Sequence, residues 1–181
     1  SKYGIGSFSK EAYEFVDFLV DAGQKLWQIL PLGPTGYGDS PYQSFSTFAG
    51  NPYFIDLNEF IELGYITKED CEKLNFGTNP EYVDYGQLYN NRYLLLEKAY
   101  EGALEDGLET DEEYLEFQKE NKHWLKDYAL YMTVKGAFDN ACWTEWDEDI
   151  RLRRPAAVKQ YTNEYAYEIS FYYFLQYFFT K

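Results

Sequence analysis

Apolar residues recur at Ala12, Phe15, Val16, Leu19 and Val20, the three-and-four spacing of a helix with one buried face. Ser9 is a suitable cap ahead of Glu11 in the first turn, and Gly23 supplies a left-handed stop. The pattern then changes. Leu26-Trp-Gln-Ile-Leu30 is a short, mostly apolar run closed by Pro31, which predicts a strand covered on both faces rather than a surface hairpin. A helix followed by such a strand is half of a βαβ unit. No second run like it occurs, so its parallel neighbours are expected outside this sequence.

Residues 33–52 hold four glycines and three prolines and follow neither the helical nor the strand period, so a long loop is expected. Loops of that length in a compact domain are usually functional. This one leaves the C-terminal end of the expected strand, where α/β sheets and barrels place their sites. Beyond it the pattern turns helical in pieces. Asp56 or Asn58 caps a short helix ending at Gly64, Thr67 with Asp70 resembles a capping box, and Asn75 to Pro80 is a turn. Tyr89, Tyr93, Leu96 and Tyr100 align on one helical face. Thr110 and Glu113 predict a capping box for a long helix ending at Gly136, and Pro155 opens a last long helix that reaches Phe179.

Charge and composition narrow the function. The 181 residues carry 31 acidic against 16 basic side chains, a net charge of −15, which argues against a phosphate backbone or an anionic membrane surface as partner. With 20 Tyr, 14 Phe and 4 Trp the chain is too aromatic to stay disordered. Cys71 and Cys142 lack metal-ligand spacing, predicting neither a disulfide nor a zinc site and a reducing, cytoplasmic setting. The longest apolar run, Phe171 to Phe179, is about half a membrane span. The missing initiator Met and the aromatic C-terminal end predict that both termini are cuts in a longer protein.

Few of these residues suit catalysis alone. The lone His123 makes a Ser-His-Asp arrangement hard to build, and the glycines at 33, 36 and 38 lack the Gly-Lys-Ser/Thr of a phosphate cradle. Glu145, Asp147, Glu148 and Asp149 read as a solvated charge run. The loop is different. Tyr37, Asp39, Ser40, Tyr42, Gln43 and Ser44 crowd together among glycines that let the backbone approach a ligand. Aromatic rings suit the apolar faces of a pyranose, while hydroxyl, amide and carboxylate groups suit its hydroxyls, so a sugar is expected. The alternative is that Tyr37 and Tyr42 only pin the loop. Retaining glycosyl transfer needs two carboxyl groups about 5–5.5 Å apart, and Asp39 supplies one. Asp17 and Asp21, one helical turn apart, have no aromatic platform.

The run Gly23-Gln-Lys-Leu-Trp-Gln-Ile-Leu-Pro-Leu-Gly-Pro-Thr-Gly-Tyr-Gly-Asp-Ser-Pro-Tyr-Gln-Ser-Phe-Ser-Thr-Phe-Ala-Gly-Asn-Pro52 resembles the signature of the 4-α-glucanotransferases, the amylomaltases or disproportionating enzymes. The likeness extends through Tyr3-Gly-Ile-Gly6, Val83-Asp-Tyr-Gly-Gln-Leu-Tyr89, Asp127-Tyr-Ala-Leu-Tyr-Met132 and Phe171 to Phe179. It implies a (β/α)8 barrel enzyme that cuts α-1,4 bonds of maltodextrins through a covalent glucosyl intermediate, with no metal or organic cofactor. The expected fold class is therefore α/β and helix-rich, a partial (β/α)8 TIM barrel with one core strand near 26–30. Residues 1–57 would belong to the barrel, 58–155 to a helical insertion, and 156–181 to a helix returning to the barrel.

The family's catalytic carboxylates lie in motifs like Arg-Ile-Asp-His, Ala-Glu-Asp-Leu-Gly and Thr-His-Asp-Asn, none of which occurs here. The resemblance thus implies a fragment with glucan subsites and no catalytic residue. Ser40 and Tyr42 match residues that contact the glucose next to the cleaved bond, and Asp39 belongs to the same turn. Tyr37 matches an aromatic at a second glucan site, and Tyr89 a tyrosine near the same groove. A stand-alone carbohydrate-binding module and a self-associating, non-catalytic scaffold are the alternatives. A lone strand also leaves unpaired N–H and C=O groups, each costing about 1–3 kcal/mol if buried. Leu26–Leu30 is therefore expected to be irregular or exposed, or else to pair with a second molecule.

Overall fold

The computed structural model describes residues 2–36, 38–79 and 81–181. In chain order its helices are α1 (Lys10–Asp21), α2 (Leu57–Glu62), α3 (Lys68–Glu72), the single turn α4 (Tyr85–Gln87), α5 (Tyr93–Glu105), α6 (Glu112–Glu120), α7 (Leu125–Ala137), α8 (Glu148–Arg151), α9 (Pro155–Glu164) and α10 (Ala166–Thr180). A π-helical turn, Leu88–Arg92, joins α4 to α5. The chain packs as two compact units, Ser1–Glu109 with Phe178–Lys181, and Thr110–Tyr177.

The expected core strand is not there. Among the described residues the only β pairing is an isolated antiparallel bridge between Thr35 and Ser44. Leu26–Leu30 is irregular, and Leu26 is 91% exposed. The physical reason is the one anticipated: a strand satisfies its backbone only through neighbours, and without them the segment keeps its N–H and C=O groups in water. Helix α1 corrects a second expectation. Its cap residue and its Gly23 stop are as read, with the Gln24 N–H donating to the Leu19 carbonyl at 2.8 Å. Yet no α1 residue is buried; Phe18 is 62% exposed, and the cover of its apolar stripe is partial, with Phe15 edge-on to Trp27 at 5.2 Å. Ser9 donates to Glu11 Oε2 at 2.6 Å and makes no side-chain cap bond to the backbone.

The rest of the first unit does have a core. Asp56 caps α2 by accepting from the Asn58 N–H, and Thr67 and Asp70 form the reciprocal capping box of α3. These caps orient short helices whose inward residues Leu57, Phe60 and Cys71 are buried, as are Leu88, Leu96 and Ala99 further along the same unit. Phe60 sits edge-on to Phe178, centroids 4.8 Å apart. Helix α5 comes so close to Tyr65 that a Cβ on Gly102 would lie 2.9 Å from its Cα, which requires glycine there.

In the second unit the expected long helix is two. Asp111, rather than Thr110, caps α6, accepting from the Tyr114 N–H at 2.7 Å. The break follows at Asn121, whose amide donates to the Phe117 carbonyl at 2.9 Å while its Oδ1 accepts from Trp124 Nε1 at 3.0 Å. That side chain competes for the groups that would continue the helix. Helix α7 ends through Asp139 and Asn140 in the left-handed region, not at Gly136. Pro155 does open a helix, but it closes at Glu164 and α10 follows as a separate element. Leu130, Val134, Trp146, Ile150 and Ile169 fill the core of this unit. Cys71 is buried, Cys142 is exposed, and both are free thiols. Among the described residues no helix is long and apolar enough to cross a membrane.

Candidate functional site

The loop after Leu32 is closed at its base, where the Asn51 N–H donates to the Leu32 carbonyl at 2.8 Å. Asn51 is buried, and its side chain accepts from the Tyr53 N–H at 3.0 Å, so the loop ends at a fixed point in the core. Within the loop, short serine bonds replace secondary structure. Ser40 Oγ accepts from the Tyr42 N–H at 3.3 Å, Ser44 Oγ donates to the Ser46 carbonyl at 2.8 Å, and Ser46 Oγ accepts from Phe48 and Ala49. A Cβ on Gly33 would approach Ser44 Oγ to 2.5 Å, so glycine is what lets the two arms meet.

At the tip, Gly38 and then Asp39 take left-handed φ values of 84° and 54°. For an aspartate this is an uncommon conformation. It turns the chain so that the Asp39 carboxylate acts on two tyrosines, raising the pKa of both Tyr53 and Tyr85. Burial is the larger cause in each case, and together the effects push Tyr53 up to about 12. Tyr53 lies 6.4 Å from Tyr85 and 5.9 Å from Tyr93, centroid to centroid. Tyr89 also acts on Tyr53. Tyr53, Tyr85 and Tyr93 thus form one tyrosine cluster of the first unit, within electrostatic reach of the acidic loop tip and of Tyr89.

Of the residues singled out from the sequence, Asp39, Ser40 and Tyr42 share the loop tip, with Tyr42 75% exposed and its backbone held by Ser40. Tyr89 reaches the same patch from the π-turn and is 57% exposed. Tyr37 lies outside the described residues. Tyr53, Tyr85 and Tyr93 were not singled out for the site. The signal was present for two of them, because Tyr85, Tyr89 and Tyr93 recur every four residues.

The patch offers exposed phenol rings, a carboxylate acceptor and backbone freed by glycine, the chemistry of sugar binding. Asp39 is one carboxylate where retaining glycosyl transfer uses two. Among the described residues no group of three or more His, Cys, Asp or Glu could hold a metal ion.

Comparison with known proteins points the same way. The family described as 4-alpha-glucanotransferase matches residues 1–181. A 4-alpha-glucanotransferase of Clostridium butyricum is 48% identical over 176 residues, 97% of this chain and 36% of that protein. One from Streptococcus pneumoniae is 49% identical over 178 residues, 98% of this chain and 35% of that protein. Among solved structures, an amylomaltase from Streptococcus agalactiae in complex with acarbose superposes with a TM-score of 0.92 at 42% identity, covering 99% of this chain and 36% of that one. The chain thus spans about a third of the length of these relatives.

Proposed function

We propose, because the chain belongs to the 4-alpha-glucanotransferase family, that its parent protein moves α-1,4-glucan segments between maltodextrins by a retaining mechanism with a covalent glucosyl intermediate. Residues 1–181 supply glucan subsites, and the catalytic carboxyl pair belongs to the remainder of the parent. The observation that supports this reading is the exposed Tyr42 on the same loop tip as Asp39, whose carboxylate adds to the raised pKa of Tyr53 and Tyr85. Tyr42 stacks on a glucose face, Asp39 accepts from sugar hydroxyls, and Ser40 holds the turn. Tyr89 adds an aromatic surface for further glucose units, and Tyr37, by its resemblance to the family's second glucan site, is assigned the same role. The acarbose bound by the similar Streptococcus agalactiae protein supports a maltodextrin-like ligand. No cofactor is needed for such chemistry, and a cytoplasmic enzyme is the setting that fits it.

In the same reading, Leu26–Leu30 becomes a strand of a (β/α)8 barrel once its neighbours are supplied. Residues 1–57 form part of that barrel, 58–155 its helical insertion, and 156–181 the return. A stand-alone sugar-binding module is not favoured, since the whole chain matches about a third of enzymes of one activity. The test is disproportionation of maltotriose. The full-length parent releases glucose and builds longer dextrins, while residues 1–181 alone release none. Glucose from the 181-residue chain would overturn the assignment of chemistry to the missing part.

A further inference from the structure

Four tyrosine and leucine positions expose a conflict between periodicity and structure. In an uninterrupted α-helix Tyr89, Tyr93, Leu96 and Tyr100 return to within about 60° of one another, at roughly 100° per residue. The structure buries Leu96 and Tyr100 almost completely and leaves Tyr89 57% exposed. What separates them is the π-turn Leu88–Arg92. A π-turn closes over one more residue than an α-turn, so an offset of up to about 100° relative to α5 builds up across it, and Tyr89, the second residue of the turn, carries most of that offset.

Two side chains hold this turn. Asn91 Nδ2 donates to the Asn75 carbonyl at 2.7 Å, the Gln87 carbonyl at 3.1 Å and Gln87 Oε1 at 3.0 Å, tying both ends of the turn to the Asn75 loop. Arg92 is 1% exposed. Its Nη1 donates to the Tyr3 carbonyl at 3.4 Å, its Nη2 donates to the Ile55 carbonyl, and its Nε has no partner. Desolvation lowers the guanidinium to about 10. A buried cation held mainly by carbonyls is a poor device for stability alone. Rare backbone forms and costly buried groups gather where a structure must aim a side chain.

We propose that the π-turn Leu88–Arg92, locked by Asn91 and Arg92, is a positioning device that turns Tyr89 away from the core and onto the Asp39, Tyr53 and Tyr85 patch to meet a glucan chain. This rests on the glucan-site reading above. Asn91 and Arg92 act through Tyr89 and touch no sugar themselves.

A mutant cycle in the full-length parent, read by calorimetric titration with maltoheptaose, tests it. Tyr89→Ala weakens binding by up to roughly tenfold, the scale of one lost aromatic contact. Asn91→Ala trims a half-buried side chain without opening the core and weakens binding to a similar degree. The double variant binds no more weakly than Tyr89→Ala, because the turn works only through that ring. Melting temperature separates structure from positioning: Asn91→Ala lowers it equally in both backgrounds, while its effect on affinity vanishes in one. Arg92→Lys shows the same non-additivity. If Asn91→Ala binds as the unmodified protein does, or its loss adds in full to that of Tyr89→Ala, the positioning role is overturned and the site stands. If Tyr89→Ala binds unchanged, the assignment of Tyr89 to the glucan site falls, and this inference with it.

Discussion

Tyr42 and Tyr53 stand at opposite ends of solvent exposure within one patch, and the difference separates contact from support. Tyr42 has little packing to lose, so Tyr42→Ala should leave stability within about 0.5 kcal/mol of the parent chain. Tyr53 is buried and carries its proton up to about 12, first through burial and then through the Asp39 carboxylate. In the unfolded chain a tyrosine loses its proton near 10. A raised folded pKa on an acid favours the neutral, folded form. The contribution is fully present below pH 10 and is lost as pH climbs from 10 toward 12. Burial also raises Tyr128, which adds to alkaline loss in the same direction. Ultraviolet titration of phenolate, with Tyr53→Phe to identify the signal, should show Asp39→Asn lowering the Tyr53 midpoint while leaving it above 10. A midpoint that ignores Asp39→Asn would mean the carboxylate does not face the tyrosine bed, and the site as drawn would be wrong.

Elements whose causes are local were legible in the sequence, and those that depend on a neighbour were not. Asp56, the Thr67 and Asp70 box, and the Gly23 stop each work within a few residues of themselves, and each is in the structure. The loop 33–52 was legible for the same reason, since glycine and proline forbid regular structure whatever surrounds them. The π-turn was not, because its register is set by Asn91 reaching Asn75 and Arg92 reaching Tyr3 and Ile55. The strand is the opposite case: the apolar run is legible, and Leu26–Leu30 is irregular and exposed, as expected of a run that finds no ladder partners among the described residues. Hydrogen exchange follows directly. In the 181-residue chain the amides of 25–30 should exchange like coil, whereas those of Leu95 to Ala103 in α5 should be protected. In the full-length parent the first set should slow by orders of magnitude. Slow exchange of 25–30 in a monomeric 181-residue chain would contradict this account of the segment.

For the molecule as a whole, two opposing forces act on its bare surfaces. Phe18, Val20, Leu26 and Leu30 all expose large apolar area on one continuous stretch of chain, more than an isolated soluble domain usually shows. The net charge of −15 pushes copies apart. Which force wins depends on salt, because screening shrinks the reach of charge from about 30 Å at 0.01 M to about 3 Å at 1 M and leaves apolar attraction intact. The 181-residue chain should therefore sediment as a monomer at low salt and associate as salt rises. Replacing Phe18 and Leu26 by Asp should abolish the association, since each change removes exposed apolar area and adds repulsion. In the proposed barrel the rest of the parent protein covers these residues, so no salt-dependent association of this kind is expected of the full-length protein. Association that dissolves on adding salt would assign the contact to ion pairs instead. A monomer at every salt concentration would show that these surfaces, though bare, do not drive copies of the chain together.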